Sequence, residues 1–149
     1  MGNTIRKLEN LPFALSHLDI GENKISKIEN LPKSLNYFFI NENLIQRIEN
    51  LPSSLEYLSI AKNQIQRIEN LPSELKSLEI SLNPIRRLEN IPNNVDTLNI
   101  CACYIEKIEN LPLGLTNLLI HSNPISTICL LYTSPSPRDL STSRMPSSA

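Results

Sequence analysis

Apolar residues recur along the chain with a period of twenty positions, in the pattern L-x-x-L-x-I-x-x-N-x-I-x-x-I-E-N-L-P-x-x. In L-x-x-L-x-I the last two apolar residues are separated by one residue, which is the spacing of a β-strand with one buried face. The isoleucine that closes this element is β-branched and suits a pleated surface. It stands at Ile20, Ile40, Ile60, Ile80, Ile100 and Ile120. The pattern therefore predicts one short strand in every repeat.

The constant period also predicts how the strands are arranged. Copies of one strand at a fixed offset can stack in parallel about 4.8 Å apart, and neighbouring coils bury the apolar face that a single coil leaves open. Because proline fixes φ and has no N–H, a return segment that contains it should be extended or polyproline-like rather than helical. Such a proline recurs at Pro12, Pro32, Pro52, Pro72, Pro92 and Pro112. The predicted fold class is a repeat solenoid, mainly β, forming an arc with a parallel concave sheet and an extended convex side.

One polar position of the repeat is expected to be buried. It follows each strand where the chain turns inward, and a side-chain amide there can bond backbone groups that the turn leaves unpaired. The residues at this position are Asn23, Asn43, Asn63, Asn83 and Asn123, with Cys103 in the fifth repeat. We expect the stacked asparagines to form a structural ladder, in which the cysteine replaces one member as a weak donor that tolerates burial.

The element L-x-x-L-x-I-x-x-N-x-I resembles the signature of leucine-rich repeats, and the match extends from about Ile5 to Ile128. The period and the element L-P-x-x-L resemble the bacterial-type repeats of secreted effectors. The element N-x-I-x-x-I-E-N-L instead resembles the repeats of phosphatase-1 regulatory subunits, whose period is longer. The resemblance implies a protein–protein interaction scaffold. It also implies two alternatives: the substrate-recognition part of a larger effector such as a ubiquitin ligase, or a phosphatase regulatory subunit.

The periodicity stops after Ile128, where the sequence CLLYTSPSPRDLSTSRMPSSA follows. This stretch resembles a translated sequencing adapter, and the alternative is a Ser/Pro-rich disordered linker. We therefore expect two parts. One is a leucine-rich repeat solenoid of about six repeats at 1–128, truncated at its C-terminal end, and the other is a non-native, disordered tail at 129–149.

Information about a partner should lie in the variable positions of the strands, because the repeat fixes the buried ones. Alternate residues of each predicted strand face outward on the concave side. In the first repeats these include neighbouring aromatic side chains, which are typical of interface anchors. The candidate partner-binding residues are His17, Asp19, Tyr37, Phe39, Asn41, Glu42, Tyr57, Ser59, Lys62 and Glu79. The alternative is that cross-strand aromatic pairs only stabilise the sheet.

Few residues of the chain suggest catalysis or metal binding. Cys101 and His121 occupy the same outward position in adjacent repeats, which is compatible with a nucleophile–base pair or half of a metal site. The sequence offers them neither an orienting acid nor an oxyanion donor nearby. His17 with Asp19 is more typical of a surface contact than of part of a catalytic triad. We therefore expect a protein that is not an enzyme, with no cofactor and no metal.

Composition narrows the partner and the compartment. The 149 residues carry a net charge of −1 and three cysteines, which gives no electrostatic footprint for nucleic acid and no disulfide framework. No apolar run approaches the roughly 18 residues of a membrane span, and the first residues lack a secretory apolar region. We expect a protein partner, no nucleic acid and no membrane, with the protein in the cytoplasm. The alternative is a secreted effector that acts in a host cytosol.

Overall fold

The computed structural model describes residues 3–129, so the tail predicted at 129–149 lies, apart from its first residue, outside the described residues. Within that range the chain forms eight three-residue strands and no helix. The strands are β1 (His17–Asp19), β2 (Tyr37–Phe39), β3 (Tyr57–Ser59), β4 (Ser77–Glu79), β5 (Thr97–Asn99), β6 (Lys107–Glu109), β7 (Asn117–Leu119) and β8 (Thr127–Cys129). One parallel sheet has the order β1-β2-β3-β4-β5-β7, and β6 pairs with β8 in a second sheet.

Each strand of the six-stranded sheet pairs with the equivalent strand of the next coil. Tyr37 lies beside Tyr57, Tyr57 lies beside Ser77, and the same register continues to β7. Equivalent residues of successive coils therefore stack in columns. The predicted parallel, mainly β repeat solenoid is confirmed.

The interior of the solenoid is a set of apolar columns. The second coil buries five large side chains completely: Leu35, Phe38, Ile40, Ile45 and Ile48. The same positions are filled by leucine, isoleucine or valine in the coils that follow, and they form one continuous core. Burying each such side chain stabilises the fold by roughly 1.5–3 kcal/mol. Because the contacts run from coil to coil, the stability of each coil depends on its neighbours.

A β-turn closes the return segment of each coil. The backbone N–H of Leu35 donates to the carbonyl of Pro32 at 3.3 Å. The same bond, from the residue three positions after the proline, is made by Leu15, Leu55, Leu75, Val95 and Leu115. Proline supplies only its carbonyl to this turn, so its missing N–H leaves no bond unmade. The turn brings the chain back to the start of the next strand.

Asn63 illustrates how the asparagine that follows a strand is bonded. Its side-chain N–H groups donate to the carbonyls of Ile40 at 3.0 Å and Ile60 at 3.2 Å. They also donate to the carbonyl of Ala61 at 3.1 Å, and its Oδ1 accepts the N–H of Ile45 at 2.9 Å. An isoleucine N–H of the preceding coil is likewise accepted by Asn23, Asn43, Asn83 and Asn123. These side chains supply bonds to backbone groups that the inward turn leaves unpaired.

Cys103 occupies the same position in the fifth coil without an amide oxygen. Its Sγ lies 3.6 Å from the carbonyl oxygen of Ile80 and 3.7 Å from that of Cys101, as suits a weak S–H donor. The N–H of Ile85 instead donates to the carbonyl of Asn83 at 2.8 Å. Burial raises the pKa of the Cys103 thiol, which favours the protonated form that can donate. The backbone thus adapts locally to the missing acceptor.

A second asparagine column, which the sequence reasoning missed, lies on the return segment in the element E-N-L. Its members, with φ between 55 and 58°, are Asn10, Asn30, Asn50, Asn70, Asn90 and Asn110. Asn70 donates its side-chain N–H to the carbonyl of Ile48 in the preceding coil at 3.1 Å, and three equivalent bonds occur. Asparagine is well suited to this position because it tolerates the left-handed conformation better than most residues. The signal was present in the sequence as an asparagine that recurs in five copies of E-N-L and in one copy of E-N-I.

Candidate protein-interaction surface

The residues that flank the middle position of each strand form the outer face of the six-stranded sheet. In β2 these are Tyr37 and Phe39, on either side of the buried Phe38. The alternation follows from the pleat, which directs successive side chains to opposite faces. The predicted partner-binding residues on this face are His17, Asp19, Tyr37, Phe39, Tyr57, Ser59 and Glu79. The other three, Asn41, Glu42 and Lys62, lie just after strands β2 and β3.

The aromatic stack, defined as His17, Tyr37 and Tyr57, crosses β1, β2 and β3. The ring centroids of His17 and Tyr37 are 4.2 Å apart with an interplanar angle of 13°. Those of Tyr37 and Tyr57 are 4.5 Å apart with an angle of 5°. These distances approach the spacing of about 4.8 Å between strands, so the in-register sheet brings the rings together. Tyr37 and Tyr57 are half-buried by this stacking, whereas His17 is exposed.

Phe39 adds an apolar side chain beside the aromatic stack. It remains 37 % exposed, and its register partners are Asp19 in β1 and Ser59 in β3. No aromatic pair that includes Phe39 is found within residues 3–129. The Asp19 carboxylate accepts the N–H of Gly21 at 3.1 Å and so is held next to the strand end. The outer face of β2 therefore presents a large ring with acidic and small polar neighbours.

Ser59 and Asn41 offer less free surface than their predicted role requires. Ser59 is only 9 % exposed, and its hydroxyl donates to Asn41 Oδ1 at 2.9 Å. The same oxygen accepts the N–H of Ala61 at 2.7 Å. These polar atoms are engaged with each other and with the backbone. The strand alternation could not show this, because it does not reveal how neighbouring side chains cover a small residue.

Two ion pairs border the outer face. Lys62 Nζ lies 3.5 Å from a Glu42 oxygen where the strands end, and Lys76 Nζ lies 2.7 Å from a Glu56 oxygen where they begin. The hydrogen bond that Lys76 donates to the Glu56 carboxylate raises the pKa of Lys76, which therefore keeps its charge. Both pairs are exposed to solvent and contribute little to stability. Their effect is to neutralise the lysines near this face.

Glu79 holds a fixed carboxylate on the outer face. One of its oxygens accepts the N–H of Ser81 at 2.9 Å and also the Ser81 hydroxyl. Its other oxygen accepts the side-chain amide of Asn99 on the neighbouring strand. Since donors fix both oxygens, the carboxylate has a defined position at the border of β4 and β5.

The outer face and its flanks carry a net negative charge. We count the three residues of each strand together with the residue before it and the three residues after it, which is 16–22 in the first coil and the equivalent segment in the other five. These segments contain six acidic residues and two lysines, a net charge of −4. The whole chain has a net charge of −1, so the remainder carries +3. The acidic residues are Asp19, Glu22, Glu42, Glu56, Glu79 and Asp96. A partner that docks on this face meets an acidic surface that contains aromatic rings.

The cysteine and histidine considered for catalysis differ in exposure. Cys101 is 6 % exposed, whereas His121 is exposed and its Nδ1 lies 3.3 Å from the hydroxyl of Ser122. No hydrogen bond between Cys101 and His121 occurs in the part of the chain that the structure describes. Across residues 3–129 there is also no group of three side chains that could hold a metal ion.

The return side of the solenoid carries a depression of a different character. It measures about 520 Å³ and is lined by Arg86, Arg87, Glu89, Glu106 and Lys107, among others. Its lining includes three basic and three acidic side chains, so it has no dominant charge. None of the predicted partner-binding residues lines it.

No helix among the described residues has both the length and the apolar character needed to cross a membrane.

Several solved structures are similar to this chain. YopM from Yersinia enterocolitica WA-314 has a TM-score of 0.67 and 27 % identity, over 83 % of this chain and 32 % of its own. The functional domain of InlJ from Listeria monocytogenes, which includes a cysteine ladder, has a TM-score of 0.63 and 23 % identity, over 78 % and 28 %. A Shigella effector leucine-rich repeat domain has a TM-score of 0.67 and 22 % identity, over 81 % and 66 %. No protein-family model and no curated protein matches the chain.

The fold is a leucine-rich repeat solenoid. The matches cover most of the described residues, and the twenty-residue coils agree with the predicted repeat. The chain spans about a third of the YopM chain and less than a third of the InlJ domain.

Proposed function

We propose that this leucine-rich repeat solenoid is a protein–protein interaction scaffold, and that a partner docks on the outer face of its sheet. The observation that carries the proposal is the exposed ring of Phe39 next to the aromatic stack. Aromatic side chains at a rigid surface supply large contact areas at low entropic cost, and they dominate measured binding energies. Because the parallel sheet holds the strands in register, these anchors are already ordered before a partner arrives.

Sheet stabilisation alone does not account for this surface. Stacked rings contribute about 0.5–1.5 kcal/mol per pair beyond their burial, which explains why Tyr37 and Tyr57 lie face to face. Phe39 takes part in no such pair among the described residues and leaves 37 % of its surface in water. The part of Phe39 that stays in water between Asp19 and Ser59 contributes nothing to the stability of the sheet. Contact with a partner would bury this exposed part of Phe39, which packing within the solenoid leaves in water.

Alanine substitutions with matched controls test the proposal. Proteins retained by the immobilised full chain are identified, and their affinity is then measured for Phe39→Ala and Tyr37→Ala. Two exposed rings outside the sheet serve as controls: Phe13, 89 % exposed at a turn, and Tyr104, 56 % exposed at the start of a return segment. We expect the two outer-face substitutions to weaken binding about thirtyfold, as hot-spot residues do, and the controls to leave it unchanged.

Phe39→Ala is the more decisive substitution. Tyr37→Ala removes both contacts of the aromatic stack and so also lowers stability, whereas Phe39→Ala leaves the stack intact. Thermal unfolding of each variant separates the two effects. Wild-type affinity in a folded Phe39→Ala variant would overturn the proposal, as would equal losses in Phe13→Ala and Tyr104→Ala.

A second candidate function is the substrate-recognition part of a larger effector. It is favoured by the similarity to a Shigella effector leucine-rich repeat domain and by the small share of the YopM chain that this chain spans. In that case the protein acts in a host cytosol, and the same outer face selects the substrate. The phosphatase regulatory subunit stays a prediction based on the element I-E-N-L alone.

A further inference from the structure

The aromatic stack ends at Tyr57 with a ring face directed along the sheet. The next residue of its column is Ser77, which lies directly beside Tyr57 in the register of β3 and β4. Thr97 follows in β5. Neither side chain has a ring, so the column that holds three stacked rings continues with two small hydroxyl side chains. These leave open space above them, next to the ring of Tyr57. We call this position the Ser77 slot; Tyr57 forms its wall, and Ser77 and Thr97 form its floor.

The geometry of the stack sets the shape of a group that fits the slot. Successive rings are 4.2 and 4.5 Å apart and lie within 13° of parallel. A planar group that continues the series would lie over Ser77, parallel to the ring of Tyr57. The spacing between strands leaves room for one flat group between Tyr57 and the next position of the column. A guanidinium plane or an aromatic ring has a suitable thickness.

The charges around the slot distinguish between these two planar groups. Glu79 lies on the same strand as Ser77, and its carboxylate is fixed by Ser81 and Asn99. Beyond the floor, the carboxylate of Asp96 accepts the hydroxyl of Thr97 at 2.8 Å. One carboxylate therefore belongs to the strand of Ser77, and the other is bonded to Thr97 of the floor. They favour a cation over a neutral ring.

The lysine that borders the slot does not cancel this field. Lys76 precedes Ser77, and its Nζ is bonded to the Glu56 carboxylate at 2.7 Å. Its charge is thus already balanced by an acid of the neighbouring coil. The net charge of −4 on the outer face and its flanks extends the same preference beyond the slot.

We propose that the partner inserts an arginine side chain into the Ser77 slot, with the guanidinium stacked on Tyr57. This inference rests on the proposed function, because it names the chemistry of the partner at the same outer face. Arginine combines the plane that continues the stack with the charge that the carboxylates of Glu79 and Asp96 attract. Lysine lacks the plane, and a phenylalanine lacks the charge. A basic segment with an exposed arginine is therefore the partner chemistry that this surface selects.

The test uses a small probe so that it does not depend on identifying the partner. N-acetyl-arginine N-methylamide is titrated into the full chain, and the backbone amide shifts of Tyr57 and Ser77 are followed by NMR. The matched lysine and citrulline derivatives supply charge without the plane and the plane without charge. We expect saturable shifts with a dissociation constant on the order of millimolar for arginine, and about threefold to tenfold weaker binding for the other two.

A filled slot provides the matched control. Ser77→Tyr places a fourth ring on the stack, and it should reduce arginine binding at least about tenfold while the protein stays folded. Ser53→Tyr adds the same ring at an exposed turn, away from the sheet, and should bind arginine as the wild type does. Arginine binding that survives Ser77→Tyr, or citrulline binding as strong as arginine binding, would overturn the inference.

The two proposals fail in different experiments. If the partner is lost in Phe39→Ala but arginine does not shift the amides of Tyr57 and Ser77, the interaction surface stands and the arginine inference falls. If arginine binds in the slot but Phe39→Ala retains its partner, the site recognises arginine and the docking proposal for β2 falls.

Discussion

Replacing Asn63 with alanine tests how the buried asparagines hold neighbouring coils together. The substitution removes four hydrogen bonds: three donated to the carbonyls of Ile40, Ile60 and Ala61, and one accepted from the N–H of Ile45. At about 1 kcal/mol for each bond, a simple sum gives a loss of about 4 kcal/mol. That sum assumes that each backbone group has no other partner.

The carbonyls do have other partners, so the sum overstates the loss. The carbonyl of Ile40 also accepts from Asn43 at 3.3 Å, and that of Ile60 also accepts from Asn83 at 3.0 Å. The carbonyl of Ala61 accepts a backbone N–H of the preceding coil at 2.9 Å. Each carbonyl is therefore still bonded after the substitution.

The N–H of Ile45 decides the magnitude. The Oδ1 of Asn63 is the one acceptor found for it in the described part of the chain, and Ile45 is fully buried. An unsatisfied buried donor costs about 1–3 kcal/mol. With the lost packing of the amide, we expect Asn63→Ala to lower the free energy of unfolding by about 2–3 kcal/mol.

Urea unfolding followed by circular dichroism measures this loss, with Gln64→Ala as control. Gln64 is the exposed neighbour, bonded through its side chain to Gln46 at 3.3 Å, and its removal should change stability by less than about 0.5 kcal/mol. Hydrogen exchange should accelerate at the amide of Ile45. A loss of about 4 kcal/mol or more would show that the second donors of the Ile40, Ile60 and Ala61 carbonyls do not replace the bonds lost from Asn63. A loss below about 0.5 kcal/mol would show that the Ile45 N–H finds another acceptor.

Three further predictions concern other columns of the solenoid. Phe38→Ala, in the core of the second coil, should cost about 3–5 kcal/mol in urea unfolding, and a loss under about 1 kcal/mol would contradict its inward orientation. Asn70→Gly should cost about 0.5–1.5 kcal/mol, because it removes the hydrogen bond to the carbonyl of Ile48. Asn70→Ala should cost about 1 kcal/mol more, because φ is 56° there and alanine is strained in that conformation. Equal losses would exclude a role for backbone strain. Cys103→Asn should raise stability by about 0.5–1.5 kcal/mol, because an amide donates more strongly than the thiol to the carbonyls of Ile80 and Cys101. This gain should grow above pH 9.0, the ordinary pKa of the thiol, because the unfolded wild type then loses its thiol proton more readily than the folded wild type does and the wild type loses stability. A gain independent of pH would contradict the raised pKa.

The fold could be predicted because its determinants repeat. A residue such as Phe38 is buried in the same column as Leu58, and each copy of the pattern repeats the same physical requirement for an apolar side chain. Alternation then fixes which neighbours face outward, so Tyr37 and Tyr57 fall on the outer face. Few other arrangements satisfy a strict twenty-residue period with a proline on every return segment.

The backbone conformation at the strand exits could not be predicted in the same way. Glu42, Lys62, Leu82 and Ala102 all have φ between 52 and 56°, although none is glycine or asparagine. Such a conformation costs about 1–2 kcal/mol for each residue with a Cβ atom. After Glu42, Lys62 and Leu82 the buried asparagine one position later bonds the surrounding carbonyls and maintains this conformation, and after Ala102 the thiol of Cys103 takes that place. The cause lies in the coil-to-coil bonds, which no single residue of the sequence reports.

The candidate site stays a prediction for a related physical reason. A column that served only the sheet would gain from rings in every coil, by about 0.5–1.5 kcal/mol for each stacked pair. The outer-face column instead holds three rings and then Ser77, Thr97 and Asn117. Nothing in the register requires this change, because β3, β4 and β5 pair alike. The end of the stack next to fixed carboxylates is therefore the feature that points beyond stability, to an arginine from a partner.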